Sequence, residues 1–166
     1  MKTVLIMRHA KSDWSQDGPD HERTLNTRGQ HDAPRMGRFL GAQNLAVDAV
    51  YSSTAVRARS TAEAVREAAR WDAPFQTEKG LYLATVPAWI DFLGATKDTV
   101  DTLVAIGHNP GVSDLVSELT GESVAMPTSA IAQVELDIQQ WSDLIGSSGH
   151  RLRNYWYPKG IPADFS

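Results

Sequence analysis

The spacing of apolar residues changes along the chain, and each change marks an element. Val4 to Met7 is an unbroken apolar run bounded by polar residues, the pattern of a strand buried on both faces. It ends in Arg8-His9. Residues 11 to 26 (KSDWSQDGPDHERTLN) are largely polar, with Gly18-Pro19 as a turn signal, and predict a long loop. Thr27 with Gln30 resembles a capping box and sets a helix start. Ala33, Met36, Phe39 and Leu40 share one face of that helix, and Gly41 to Asn44 supply stop signals. Pro34 is expected to kink the helix or delay its start.

The second half repeats the alternation. Asp48 to Ser52 predicts a short strand, followed by a helix from about Ala55 to Arg70 with the stripe Ala55, Ala58, Ala62, Val65 and Ala69. Phe75 to Leu83 predicts a weaker strand broken by Gly80, and Pro87 to Leu93 a short helix. Thr102 to Ile106 predicts a strong buried strand ending at Gly107-His108-Asn109-Pro110-Gly111, and Val112 to Leu119 a helix. Ala130 to Leu136 and Arg151 to Tyr157 predict two more strands, paired as a hairpin. Strand and helix in alternation imply an α/β fold: a three-layer sandwich with a mostly parallel central sheet and helices on both faces.

Composition narrows the function. At 166 residues the chain suits one domain. The formal net charge of -4 supplies no global basic field, so neither nucleic acid nor a membrane surface is expected as partner. The chain has no cysteine, which excludes disulfides, a thiol nucleophile and thiolate metal sites. No apolar run approaches the roughly 18 to 20 residues that cross a bilayer, and no targeting signal is evident. A cytoplasmic protein is expected.

Candidate chemistry follows from topology. In open α/β sheets, ligands bind beyond the carboxyl ends of the strands. Three predicted strand ends carry chemistry: Arg8 and His9, the run Ser52 to Arg57, and His108. Two arginines brought together repel unless an anion lies between them, and a guanidinium matches phosphate bidentately. Helices starting after Ser53 and Pro110 would point N–H groups at the same edge. These features predict a phosphate site needing neither metal nor cofactor. Of two histidines there, a neutral one can attack phosphorus and a protonated one can stabilise its oxygens. The attacking ring needs an acceptor on its far nitrogen, and a nearby backbone carbonyl is expected to serve. Singly, each motif also fits a structural role: Gly107 to Gly111 as a strand-to-helix turn, Arg57 as a solvated residue beside Arg59, Arg66 and Arg70. His21, His31 and His150 are read as surface or loop residues.

Together, "LIMRHAKSDW", "YSSTAVRARSTAEAV" and "AIGHNPGVSDL" resemble the signatures of the histidine phosphatase superfamily, and the Leu25, Gly29 and Ala33 pattern fits it too. The Arg-His-Ala-Lys-Ser-Asp-Trp form and the short length resemble the small phosphohistidine phosphatases of the SixA type. The resemblance implies a phosphoglycerate-mutase-like fold, as one domain over residues 1 to 166 without a cap insertion. It implies His9 as the nucleophile, Arg8 and Arg57 as the phosphoryl clamp, His108 as the charge-stabilising histidine, and the Asn109 backbone N–H facing the phosphate. Many members carry a glutamate as leaving-group acid where this chain has Leu83 in Leu81-Tyr82-Leu83; Glu78 and Asp13 are candidate stand-ins. A site poor in acid suits phosphohistidine or aryl phosphates better than sugar phosphates. The expected substrate is phosphohistidine in a protein, such as a histidine phosphotransfer domain. The alternatives are a small phosphate ester hydrolysed by a phosphomonoesterase, and a phosphoprotein-binding module without turnover. Nucleotide binding by a doubly wound fold lacks its glycine-rich loop.

Overall fold

The strands of the protein, in a computed structural model that describes residues 1–165, form one mixed sheet. They are β1 (Lys2–Arg8), β2 (Ala49–Ser53), β3 (Phe75–Glu78), β4 (Thr102–Gly107), β5 (Ile131–Leu136) and β6 (Arg151–Trp156), in the order β3-β2-β4-β1-β5-β6. β1 to β4 pair in parallel, whereas β5 joins β1, and β6 joins β5, in antiparallel pairing. The helices are α1 (Thr27–Gly41), α2 (Val56–Ala69), α3 (Val86–Gly94) and α4 (Gly111–Thr120).

The central strands are buried on both faces, and their side chains divide strictly by parity. Val4, Ile6, Leu103 and Ala105 join the core under α3 and α4, with Trp89, Leu115 and Trp141. Leu5, Met7, Val104 and Ile106 join the core under α1 and α2, with Met36, Leu40 and Val65. That two-sided burial is why both strands read as continuous apolar runs.

Several local expectations change. The cap of α1 is Asn26, whose side chain accepts from the Gly29 N–H at 2.9 Å, while Gln30 reaches back to the Leu25 carbonyl; Thr27 and Gln30 form no capping box. Pro34 neither ends α1 nor delays its start. The strand expected over Phe75 to Leu83 stops at Glu78, because the Glu78 side chain accepts from the Gly80 N–H and the chain turns. β6 completes the sheet, as expected of the aromatic C-terminal segment. Residues 158–165 fold onto α1, where Phe165 packs edge-on against Phe39 and its carbonyl accepts from Arg38.

Candidate active site

Parallel pairing of β1 with β4 aligns Arg8 with Gly107. The residues that follow, His9 and His108, therefore emerge side by side, with ring centroids 5.2 Å apart and planes tilted by 53°. The backbone stitches them together: the His9 N–H donates to the Gly107 carbonyl at 3.0 Å. Gly107 is required there, since a Cβ would lie 2.5 Å from the Trp89 ring. α2, which follows β2, brings Arg57 in its first turn. Thr61, one turn on, ties the two motifs together. Its hydroxyl donates to the Arg57 carbonyl at 2.7 Å and accepts from the Ala10 N–H at 3.0 Å.

Arg8, His9, Arg57, His108 and Asn109 all line one cavity of about 310 Å³. Its polar groups are unusually short of partners. Among the described residues, six side-chain nitrogens or oxygens are buried without a hydrogen bond. Four of them (Arg8 Nε, Arg23 Nε, Arg57 Nε and His108 Nδ1) belong to residues lining this cavity. Native proteins rarely leave such groups unsatisfied, and three guanidinium donors in one place suit an anion.

The histidines differ in what holds them. His9 Nδ1 lies 2.8 Å from the Ala10 carbonyl oxygen. A carbonyl only accepts, so Nδ1 carries the proton and Nε2 keeps its lone pair. Burial, with the charges of Arg57 and Arg8, pushes the His9 pKa from 6.5 down to about 4, against the opposing pull of the Ala10 carbonyl. The ring is neutral at pH 7, as a nucleophile must be. His108 Nε2 lies 2.7 Å from Ser53 Oγ. That oxygen also accepts from the Ala55 N–H, and its second lone pair or its own hydrogen can meet Nε2, while His108 Nδ1 is left without a partner. Burial first, then His9 and Arg57, push the His108 pKa down to about 3, so the ring is neutral rather than protonated.

The anion between the arginines comes from a residue the sequence analysis passed over. Asp20 sits in a short turn of the long loop. Its carboxylate accepts from Arg57 Nη2 at 2.9 Å, Arg23 Nη2 at 2.8 Å and the Tyr82 hydroxyl at 2.6 Å. Its backbone carbonyl takes Arg57 Nη1 at 2.8 Å. The Tyr82 hydroxyl, then Arg23 and Arg57, hold the carboxyl well below the usual range. Asp20 lines the cavity; the expected stand-in acids do not. Asp13 binds the Ser15 N–H and hydroxyl, and Glu78 caps Gly80. Leu83 does line the cavity.

Arg23 and Trp14 were missed as well. Arg23 donates to Ser12 and Asp20, and its Cζ lies 3.6 Å from the centroid of the Trp14 ring. A long polar loop directly after the Arg-His pair, with an aromatic and several charges, was the available signal. His21 is no bystander: it bonds Thr54 Oγ1 at 2.8 Å and packs edge-on against Tyr82, which packs on His108. His150 is buried rather than superficial, held by the Asp137 N–H and Ser147 Oγ, whereas His31 is exposed. Asn109 secures the cavity wall: its amide donates to the Met126 carbonyl, as Arg8 does, and its Oδ1 accepts from Ser113. Among the described residues, no group of three or more His, Cys, Asp or Glu is placed to hold a metal ion. No helix among them is long and apolar enough to cross a membrane.

A mixed α/β sheet that delivers two histidines and an arginine from adjacent strand ends, with a second arginine from the helix after β2, defines an α/β domain of the phosphoglycerate-mutase-like class. Residues 4–84 match the model of the histidine phosphatase superfamily (branch 1). An uncharacterized protein of Mycobacterium tuberculosis is 36% identical over 149 residues, spanning 83% of this chain and 91% of that protein. The solved structure of the protein histidine phosphatase SixA complexed with tungstate is similar at a TM-score of 0.82 and 28% identity, covering 95% of this chain and 97% of that one. Phosphoglycerate mutase from Bacillus anthracis shares the fold at a TM-score of 0.65 and 14% identity, over 87% of this chain and 95% of that one. The chain belongs to the histidine phosphatase superfamily, and within it closely resembles the SixA-type phosphohistidine phosphatases.

Proposed function

We propose that the protein hydrolyses phosphohistidine in a protein substrate, such as a histidine phosphotransfer domain, through a phosphohistidine formed on His9. The observation that carries this reading is the hydrogen bond from His9 Nδ1–H to the Ala10 carbonyl, which leaves a neutral ring with its Nε2 lone pair free in an anion-binding cavity. Arg8 and Arg57 would grip the phosphoryl oxygens through their unpartnered Nε–H groups, His108 would donate from Nδ1, and the Asn109 backbone N–H would join them. A phosphoryl dianion would also supply the negative charge that draws a proton onto His108.

The chemistry balances without a dedicated acid. Nε2 bonds to phosphorus as the bond from phosphorus to the substrate ring nitrogen breaks, and a substrate ring already protonated on its other nitrogen leaves as neutral imidazole. His9 keeps its Nδ1 proton, and the Ala10 carbonyl supports the positive ring. Water then attacks phosphorus, the P–Nε2 bond breaks, and dihydrogen phosphate departs with both protons of that water. An alkoxide would need a proton that Leu83 does not hold and that Asp20, kept ionised, does not offer. The SixA complex with tungstate, an oxyanion, supports the same reading.

The test is a rapid quench in alkaline detergent after mixing with ³²P-phosphohistidine protein. Wild type is expected to carry an acid-labile, base-stable label and to release phosphate; His9→Ala should do neither. Phosphate release from wild type with no label under rapid quench would refute the covalent route, and no release would refute the enzyme.

A further inference from the structure

Two of the most exposed large apolar side chains stand on this pocket rather than on a core. Trp14 is 74% exposed and Leu83 55% exposed. Both line the cavity that holds His9, and neither belongs to a hydrophobic cluster of the fold. They border it on different sides. Trp14 also lines a flanking cavity toward Gly18 and Pro19, and Leu83 one toward Val86 and Pro110; the two flanking cavities share no residue.

Single exposed apolar residues ordinarily need no explanation, but these two are held in place. Trp14 covers the face of the Arg23 guanidinium, and Arg23 is itself tied to Ser12 and Asp20. Leu83 has a φ of 51°, in the left-handed region that glycine or asparagine occupies at lower cost. A large apolar side chain at an exposed, strained backbone position gains nothing from the fold. Strain of this kind gathers at functional sites.

The depth of the pocket orders its chemistry. His9, Arg57 and His108 are buried at the floor, whereas Trp14 and Leu83 stand at the mouth. A phosphoryl group seated on the donors must carry its parent group out between them. We propose that Trp14 and Leu83 wall the ring to which the phosphoryl group is attached, so that the pocket selects phosphoryl groups borne on an aromatic ring, the imidazole of phosphohistidine foremost, over those on an alkyl chain. This rests on the phosphatase reading above. Apolar walls gain by stripping water from both ring faces, and an indole stacks on a planar ring where it gives little to a flexible alkyl chain.

The test compares kcat/KM for wild type, Trp14→Ala and Leu83→Gly on phosphoramidate (a P–N bond without a ring), phosphoimidazole (P–N with a ring) and phenyl phosphate (P–O with a ring). Each variant is expected to lose about tenfold on both ring substrates, chiefly through KM, and no more than about twofold on phosphoramidate. Trp14→Phe should recover most of the loss. Leu83→Gly suits the left-handed backbone, which separates loss of the wall from loss of the fold. Equal losses on phosphoramidate would show that the residues merely support Arg23 or the turn, and unchanged ring substrates would show that the ring lies elsewhere; either overturns the proposal. Wild type inert toward all three small substrates would overturn the proposal, and wild type inert also toward phosphohistidine protein would overturn the phosphatase reading itself.

Discussion

His9 and His108, 99 positions apart in the sequence, lie 5.2 Å apart, centroid to centroid, because one strand pairing sets Arg8 opposite Gly107. Sliding β4 by one residue against β1 would turn its side chains to the opposite faces and break both cores, so packing on each side of the sheet enforces the register. The site geometry thus follows from burial far from the chemistry.

The arginine clamp makes the most direct prediction. Arg8→Ala and Arg57→Ala should each lower kcat/KM by the equivalent of about 3 to 4 kcal/mol of transition-state stabilisation, in line with removal of one oxyanion donor. Steady-state kinetics on a phosphohistidine substrate measure this. Lysine at either position should recover only part of the loss, because it cannot hold two oxygens in a plane.

Asp20 competes with the anion. Its carboxylate and its carbonyl occupy both terminal nitrogens of Arg57. Asp20→Asn removes a negative charge from the clamp and should tighten binding of phosphate or tungstate, measured by calorimetry. Asp20 is partly exposed, with 43% side-chain accessibility, so solvent screening limits the gain to several-fold. Weaker binding in the variant would show that Asp20 chiefly orients Arg57.

Thr61 joins the two motifs through one hydroxyl. Thr61→Val keeps the shape but leaves the Ala10 N–H without its acceptor in a buried place. The expected cost is about 1 to 3 kcal/mol of stability, read from chemical denaturation. A fall in kcat is also expected, because Ala10 carries the carbonyl that holds His9.

The pH dependence has a definite sign. His9 and His108 have pKa values lowered from 6.5 to about 4 and about 3. Between about pH 6.5 and pH 4 the unfolded chain therefore binds protons that the native state refuses, and stability falls as the pH drops through that window. NMR titration of the His9 ring should show no protonation near pH 6.5 and a transition near pH 4. A ring that titrates near 6.5 would contradict the neutral nucleophile.

The apolar runs Val4 to Met7 and Thr102 to Ile106 announced strands buried on both faces, and the basic residues at their ends announced the site. Those signals are local: a run's continuity and its abrupt polar end are written within ten residues. The helix cap at Asn26 and the early stop of β3 at Glu78 were misplaced because single side-chain hydrogen bonds decided them.

By itself, the sequence determined that His9, Arg8, Arg57 and His108 arrive at one sheet edge. Only the tertiary structure decided how they are held. Asp20 meets Arg57 across 37 residues and Tyr82 across 62, and His108 meets Ser53 across 55. A hydrogen bond depends on distance and direction in space, which sequence spacing does not encode once the chain leaves a helix or strand. The tautomer of His9, the carboxylate between Arg23 and Arg57, and the apolar mouth at Trp14 and Leu83 all depend on such contacts or on exposure.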